Sequence, residues 1–214
     1  MTKVGYQGNH GTFSEIAALQ YFAGRQMEPI GYKNFPSIMH DVEEGILDYA
    51  VLPVENTTTG IIARTYDLFQ NYHIHAVGEI NVPIQEDLIG LPGAKIEQIR
   101  QVYSHPEALS QCTGFFEAHP EIQNIPYQDT ARSVEYVKEQ NDPAKAALGS
   151  WRAAEYYQMA SLAKAVQDSS TNMTLTASTS PSLISRKSFR IWMNLIRQRK
   201  PSERSTASST TAAD

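Results

Sequence analysis

An α/β fold built on a largely parallel sheet is what this sequence predicts. Two observations carry that expectation: strand-like and helix-like segments alternate from Val4 to about Val166, and apolar strands run straight into hydroxyl-bearing loops that start helices. In an open α/β sheet such loops gather at the carboxyl ends of the strands and line one crevice.

The elements follow in order. Val4 to Tyr6 reads as a strand and Ser14 to Phe22 as a helix; between them a glycine-bearing loop leads to Thr12 and Glu15 at capping-box spacing. Tyr49 to Val54 is an apolar strand running into Glu55, Asn56 and the hydroxyls Thr57 to Thr59, which offer N-caps for a helix from Ile61 to Phe69. His75 to Leu91 alternates apolar residues around Pro83 without helical periodicity and is a hinge candidate. Gln101 to Tyr103 is a strand; Ser104 and Glu107 repeat the capping-box spacing ahead of a helix over 106–116, with Pro106 tolerated in its first turn. Gln123 to Tyr127 precedes a helix over Arg132 to Glu139 that Asp129 and Thr130 begin, and Ala146 to Leu148 precedes one over Trp151 to Tyr157. Four helix starts thus carry hydroxyls, and a small polyanion suits the crevice they would form.

Composition narrows the function. With 214 residues and 41% of them hydrophobic, the chain suits one globular unit or two small lobes. A net charge of -5 lacks the basic excess of a nucleic-acid binder, so no nucleic-acid partner is expected. No apolar run is long enough to span a bilayer and Met1 opens straight into a strand, so no membrane partner is expected and the expected location is cytoplasmic. The single Cys112 fits a reducing compartment as a small buried apolar group. From Leu175 onward seven basic residues face two acidic ones, Ser and Thr fill 14 of 40 positions, and only Phe189 to Ile196 forms an apolar cluster. The expectation for 177–214 is an atypical, disordered tail.

Six blocks in order, G-Y-Q-G-N-H-G-T-F-S-E, D-Y-A-V-L-P-V-E-N-T-T-T-G, S-H-P-E-A-L-S-Q-C, D-T-A-R-S-V, A-A-L-G-S-W-R-A-A-E-Y-Y and Q-D-S-S-T-N-M-T, resemble the prephenate dehydratase family over Val4 to Thr174. The resemblance implies two α/β lobes like those of type II periplasmic binding proteins, with the ligand in the cleft between them. Residues 1–78 plus 167–176 would form a discontinuous first lobe and 79–166 the second. It implies conversion of prephenate to phenylpyruvate with loss of carbon dioxide and water, no metal or organic cofactor, and a homo-oligomer, dimer or tetramer. Thr174 would be the proton donor to the departing hydroxyl, with Asn56 and Glu55 completing the catalytic set; Thr12, Thr57, Ser104, His105 and Thr130 would bind substrate.

The match departs after Thr174, where the family's Thr-Arg-Phe is replaced by Thr174-Leu175-Thr176. An arginine there could pair bidentately with a carboxylate, so weakened binding or an impaired enzyme is one expectation. A shifted reading frame would account for both the altered motif and the change of composition. No ACT-like ββαβ pattern or Glu-Ser-Arg-Pro motif occurs over 175–214, so feedback through such a domain is not expected. Two other functions compete: a non-catalytic binding or sensing module for an aromatic-pathway anion, and metal hydrolysis suggested only by His73 and His75 at i,i+2 spacing.

Overall fold

The structure is a computed structural model that describes residues 1–181. In chain order the elements are β1 (Thr2–Gln7), α1 (Phe13–Tyr21), β2 (Met27–Tyr32), α2 (Phe35–Glu43), β3 (Tyr49–Asn56), β4 (Gly60–Ile61), α3 (Ala63–Asn71) and β5 (His75–Ile84). They continue as β6 (Asp87–Gly90), β7 (Gln101–Ser104), α4 (Pro106–Ser110), α5 (Thr113–Ala118), β8 (Gln123–Pro126), α6 (Thr130–Gln140), β9 (Lys145–Gly149), α7 (Trp151–Tyr157), β10 (Ala160–Ala163) and β11 (Thr171–Thr179).

These strands make two sheets. The first has the order β2-β1-β3-β11-β5 with β4 on β3; the second has the order β10-β6-β9-β7-β8. Both are mixed, a correction to the largely parallel sheet expected from sequence. The β1 strand pairs in parallel with β2 and β3, as do β7 with β8 and β9, because helices make those crossovers. Around these parallel centres the chain adds antiparallel strands: β11 lies between β3 and β5, while β6 joins β9 and β10.

Alternation along each strand divides the core. Val51 packs with Val4, Ile16, Phe22 and Leu175 under α1, while its neighbour Leu52 packs with Ile38, Met39 and Val42 of α2 on the opposite face. In the second sheet Leu148 and Leu88 join Leu109 and Cys112, whereas Ala147 and Ile89 join Val134, Val137 and Tyr157. Cys112 is wholly buried.

Three local readings are refined or changed. The hinge candidate 75–91 holds two strands that carry the chain from one sheet to the other: all of β5 from His75 to Ile84 belongs to the first sheet and β6 to the second. The helix expected at Ile61 begins at Ala63, since Gly60 and Ile61 pair with β3; its N-cap is Ile62 with no side-chain bond. The helix expected over 106–116 is broken at Cys112 into α4 and α5, and Asp168 starts the second piece by accepting from the Thr113 and Gly114 backbone N–H groups at 2.9 and 2.8 Å. Sequence patterning did not assign β2, α2, β6 or β10. The strand β11 runs to Thr179, so Ala177 and Ser178 are buried sheet residues where a tail was expected; the rest of that expectation and the apolar cluster at 189–196 lie outside the described residues beyond 181.

Candidate active site

A cleft of about 850 Å³ opens between the two sheets. Its walls lie at strand carboxyl ends: Gln7, Gly8, Asn9 and Thr12 at the end of β1, Tyr32 and Lys33 at the end of β2, Asn56 and Thr59 at the end of β3, His105 after β7, and Gln128 to Thr130 after β8. Ile84 and Glu86 at the β5–β6 junction, with Met173 of β11, complete it. The starts of α1, α3, α4 and α6 therefore reach one cavity, as the loop pattern implied.

Each start is built locally. Thr12 caps α1: its Oγ1 accepts from the Glu15 backbone N–H at 3.4 Å and donates to the Asn9 carbonyl at 3.0 Å. The other half of the box is displaced by one residue, with the Glu15 carboxylate accepting from the Gly11 N–H at 2.7 Å. Asp129 caps α6 by accepting from the Arg132 N–H at 2.7 Å, which leaves Thr130 as the first helical residue on the cleft. At α4 the cap is His105, whose Nδ1 accepts from the Glu107 N–H at 3.2 Å; Pro106 occupies the first helical position, where its missing N–H costs nothing. Asn56 Oδ1 accepts from the Thr58 N–H at 2.8 Å and so folds the loop after β3.

Thr12, Asn56, His105 and Thr130 thus line the cleft together. Ser104 lies beneath it, fully buried, its hydroxyl donating to the Leu148 carbonyl at 2.9 Å. That bond binds β7 to the end of β9, and the helix-capping part expected of Ser104 falls to His105. Thr57 ties the β3 loop to β11, its Oγ1 accepting from the Asn172 N–H at 3.0 Å. Thr174 stands opposite Glu55 of β3 and Asn81 of β5, and its Oγ1 accepts from Asn81 Nδ2 at 3.5 Å; neither Thr174 nor Glu55 is among the cleft-lining residues.

Several lining residues were missed from sequence. Lys33, Arg64 and Arg132 bring three cations to the cleft rim. Arg64 is held 4.4 Å from the Phe35 ring centroid, and Arg132 pairs with Glu135 at 3.0 Å. Arg132 stood inside D-T-A-R-S-V and its position four residues after Gln128 was the available signal; Lys33 and Arg64 stand in no motif. Glu86 was also missed. It is 2% exposed, its Oε2 has no hydrogen-bond partner, and burial, reinforced by neighbouring Asp87, pushes its carboxyl up to about 8.

No cluster of three or more His, Cys, Asp or Glu able to hold a metal occurs among the described residues. His73 is instead tied through its backbone N–H to Glu43 Oε1 at 2.6 Å. No helix among the described residues is long and apolar enough to cross a membrane.

The two sheets are joined beside the cleft. Ser150, the N-cap of α7, donates to the Gly11 carbonyl at 2.5 Å; His10 stacks on Tyr156 with ring centroids 4.5 Å apart; Arg152 Nε lies 3.7 Å from Glu15 Oε2. Gly11 has φ +92°, and a Cβ there would lie 2.5 Å from Ala153 Cα, so this contact needs glycine on both counts.

Comparison with known proteins agrees with the blocks read from sequence. The family model for prephenate dehydratase matches residues 4–175. The chain is 39% identical over 173 residues to an arogenate dehydratase 1 from Petunia hybrida, covering 80% of this chain and 40% of that protein. It is 35% identical over 175 residues to a bifunctional chorismate mutase/prephenate dehydratase from Enterobacter agglomerans, covering 80% and 45%. The chain therefore spans less than half the length of these curated relatives. Among solved structures, a prephenate dehydratase from Arthrobacter aurescens in complex with L-Phe superposes with a TM-score of 0.75 at 25% identity, covering 84% of this chain and 61% of that one.

Proposed function

The chain belongs to the prephenate dehydratase family, and from that premise we propose that it converts prephenate to phenylpyruvate with loss of carbon dioxide and water. The observation that carries this reading is the cleft itself, where three cations and the polar starts of α1, α4 and α6 face one another. Prephenate is a dianion with a ring hydroxyl, and guanidinium groups and helix N-termini are suited to its carboxylates. In this reading Thr12, Asn56, His105 and Thr130 bind and orient substrate, while Arg64 and Arg132 supply the carboxylate partners that the altered Thr-Arg-Phe segment lacks. Glu55, Thr57 and Thr174 hold the ends of β3 and β11 that carry Asn56 and Met173. The two sheets would act as lobes closing on the ligand, in a homo-oligomer whose dimeric or tetrameric state sedimentation would measure.

A second reading, a binding module without turnover, is favoured by one feature: Thr174 is turned to Asn81 instead of the cleft. Incubating the purified chain with prephenate while following phenylpyruvate decides between the two, and arogenate, its amino-acid counterpart, belongs in a parallel assay. Phenylpyruvate release establishes the dehydratase; thermal stabilisation by prephenate with no product establishes the binding module.

A further inference from the structure

We propose that Glu86 is the acid that protonates the departing hydroxyl in the cleft, a role resting on the dehydratase reading above. The position is fixed by its backbone. The Glu86 N–H donates to Gln167 Oε1 at 3.1 Å, and its carbonyl accepts from the Val166 N–H at 2.8 Å. One side-chain oxygen has no such anchor: Oε2 is buried and without a hydrogen-bond partner, on a residue that lines the cleft. Buried polar atoms are ordinarily paired, so an unpaired acid oxygen at a ligand cavity points to a partner that arrives with the ligand.

The surroundings keep this carboxyl in the form that can donate. Next to it in the chain, at the start of β6, Asp87 accepts from Gln85 Nε2 at 3.1 Å, the Ala165 N–H at 3.0 Å and Ser161 Oγ at 2.8 Å. That saturated carboxylate opposes a second ionisation next to it. From the α4–α5 side it meets Cys112, whose thiol burial pushes up to about 12 and which therefore brings no charge. Asp168, farther along the same side, is bound to Thr113 and Gly114; Glu107 and His105 lie on the cleft side of α4. No cation among the described residues offsets the burial of Glu86, consistent with its value of about 8. A proton donor near the operating pH is what general-acid catalysis favours.

The step balances without any further reactant. The ring carbon–oxygen bond breaks with its electron pair leaving on oxygen, and the Glu86 proton joins that oxygen to form water. The bond to the ring carboxylate breaks, its electron pair completes the aromatic ring, and carbon dioxide departs. Glu86 is left as a carboxylate and regains its proton from solvent as the cleft reopens.

The test compares the full chain with Glu86→Gln, a neutral isostere that can donate a hydrogen bond but not release its proton. Initial rates with prephenate across pH 6–10 are read beside prephenate affinity by calorimetry. The expected result is a kcat lower by about 10²-fold or more in the variant with affinity within about threefold. The unmodified chain should lose kcat as pH rises through about 8, where the donor form is depleted. A variant within a few fold of the parent in kcat overturns the role of Glu86 and leaves the dehydratase standing, as does a parental profile flat through pH 9.5. Should Glu86→Gln fail to fold, that parental profile still decides. Absence of phenylpyruvate from the unmodified chain at every pH overturns the dehydratase reading, and the acid with it.

Discussion

Glu86 has a consequence for stability as well as for chemistry. A carboxyl raised from an ordinary 4.5 to about 8 binds its proton more tightly in the folded than in the unfolded chain. Its contribution is complete below pH 4.5, declines as pH rises, and is gone above about 8, amounting to on the order of 5 kcal/mol at most. The thermal midpoint of the parent should therefore fall between pH 5 and 9 by more than that of Glu86→Gln, and equal slopes in scanning calorimetry would refute the assignment. Gly11 allows a second test. Because alanine there is strained by φ +92° and by the Ala153 backbone, Gly11→Ala should cost about 1–3 kcal/mol in urea unfolding, whereas Gly24→Ala, with open space around it, should cost only its backbone strain. Residues inside short polar motifs, such as Thr12, Asn56 and Thr130, were legible because loop chemistry is local. Glu86 was not, since E-D between two apolar strands reads as a turn, and only burial gives it a function.

At the scale of elements, β11 decides how the altered family motif should be viewed. Leu175 is fully buried against Val4, Ile16 and Val82, so the side chain standing where the family carries arginine is a core residue. Leu175→Arg would bury an unpaired charge and should destabilise the chain by about 3 kcal/mol or more, while Leu175→Ala should cost about 2–5 kcal/mol. Denaturant midpoints that moved little for either variant would show that this register is wrong. The α5 helix gives a different prediction. Its first N–H groups depend on Asp168, whose carboxyl is held below the usual carboxylate range by the Thr113 hydroxyl first and by those backbone bonds second. Asp168→Ala should lose about 1 kcal/mol at neutral pH, and the difference from the parent should shrink as pH falls through the depressed value of Asp168, because protonation removes the same acceptor from both. Strands and helices with strong periodicity were legible in place and type. The β4 pairing, the break at Cys112 and the antiparallel insertion of β11 were not, because each depends on a partner more than 50 residues away or on a turn whose pairing no period announces.

For the molecule as a whole, the lobes meet through a few contacts, and the Ser150 hydroxyl is the most buried of them. Ser150→Ala removes both the α7 cap and the bond to the Gly11 carbonyl; a loss of about 2 kcal/mol is expected, measurable as a lowered urea midpoint, and a neutral result would mean that the lobe contact is carried by the His10–Tyr156 stack and the Arg152–Glu15 pair. The order of the first sheet also bears on how the chain is made. Among the described residues its strands β3 and β5 are joined to each other only through β11, which leaves the ribosome after β6 to β10 of the second sheet. The N-terminal half thus waits during synthesis with two unpaired edges while the later-born sheet is free to form first, and its closure comes last, at the expense of a loop of more than 80 residues. A nascent chain arrested before Thr171 would expose those edges, so the vulnerable moment for aggregation falls late in translation rather than at its start.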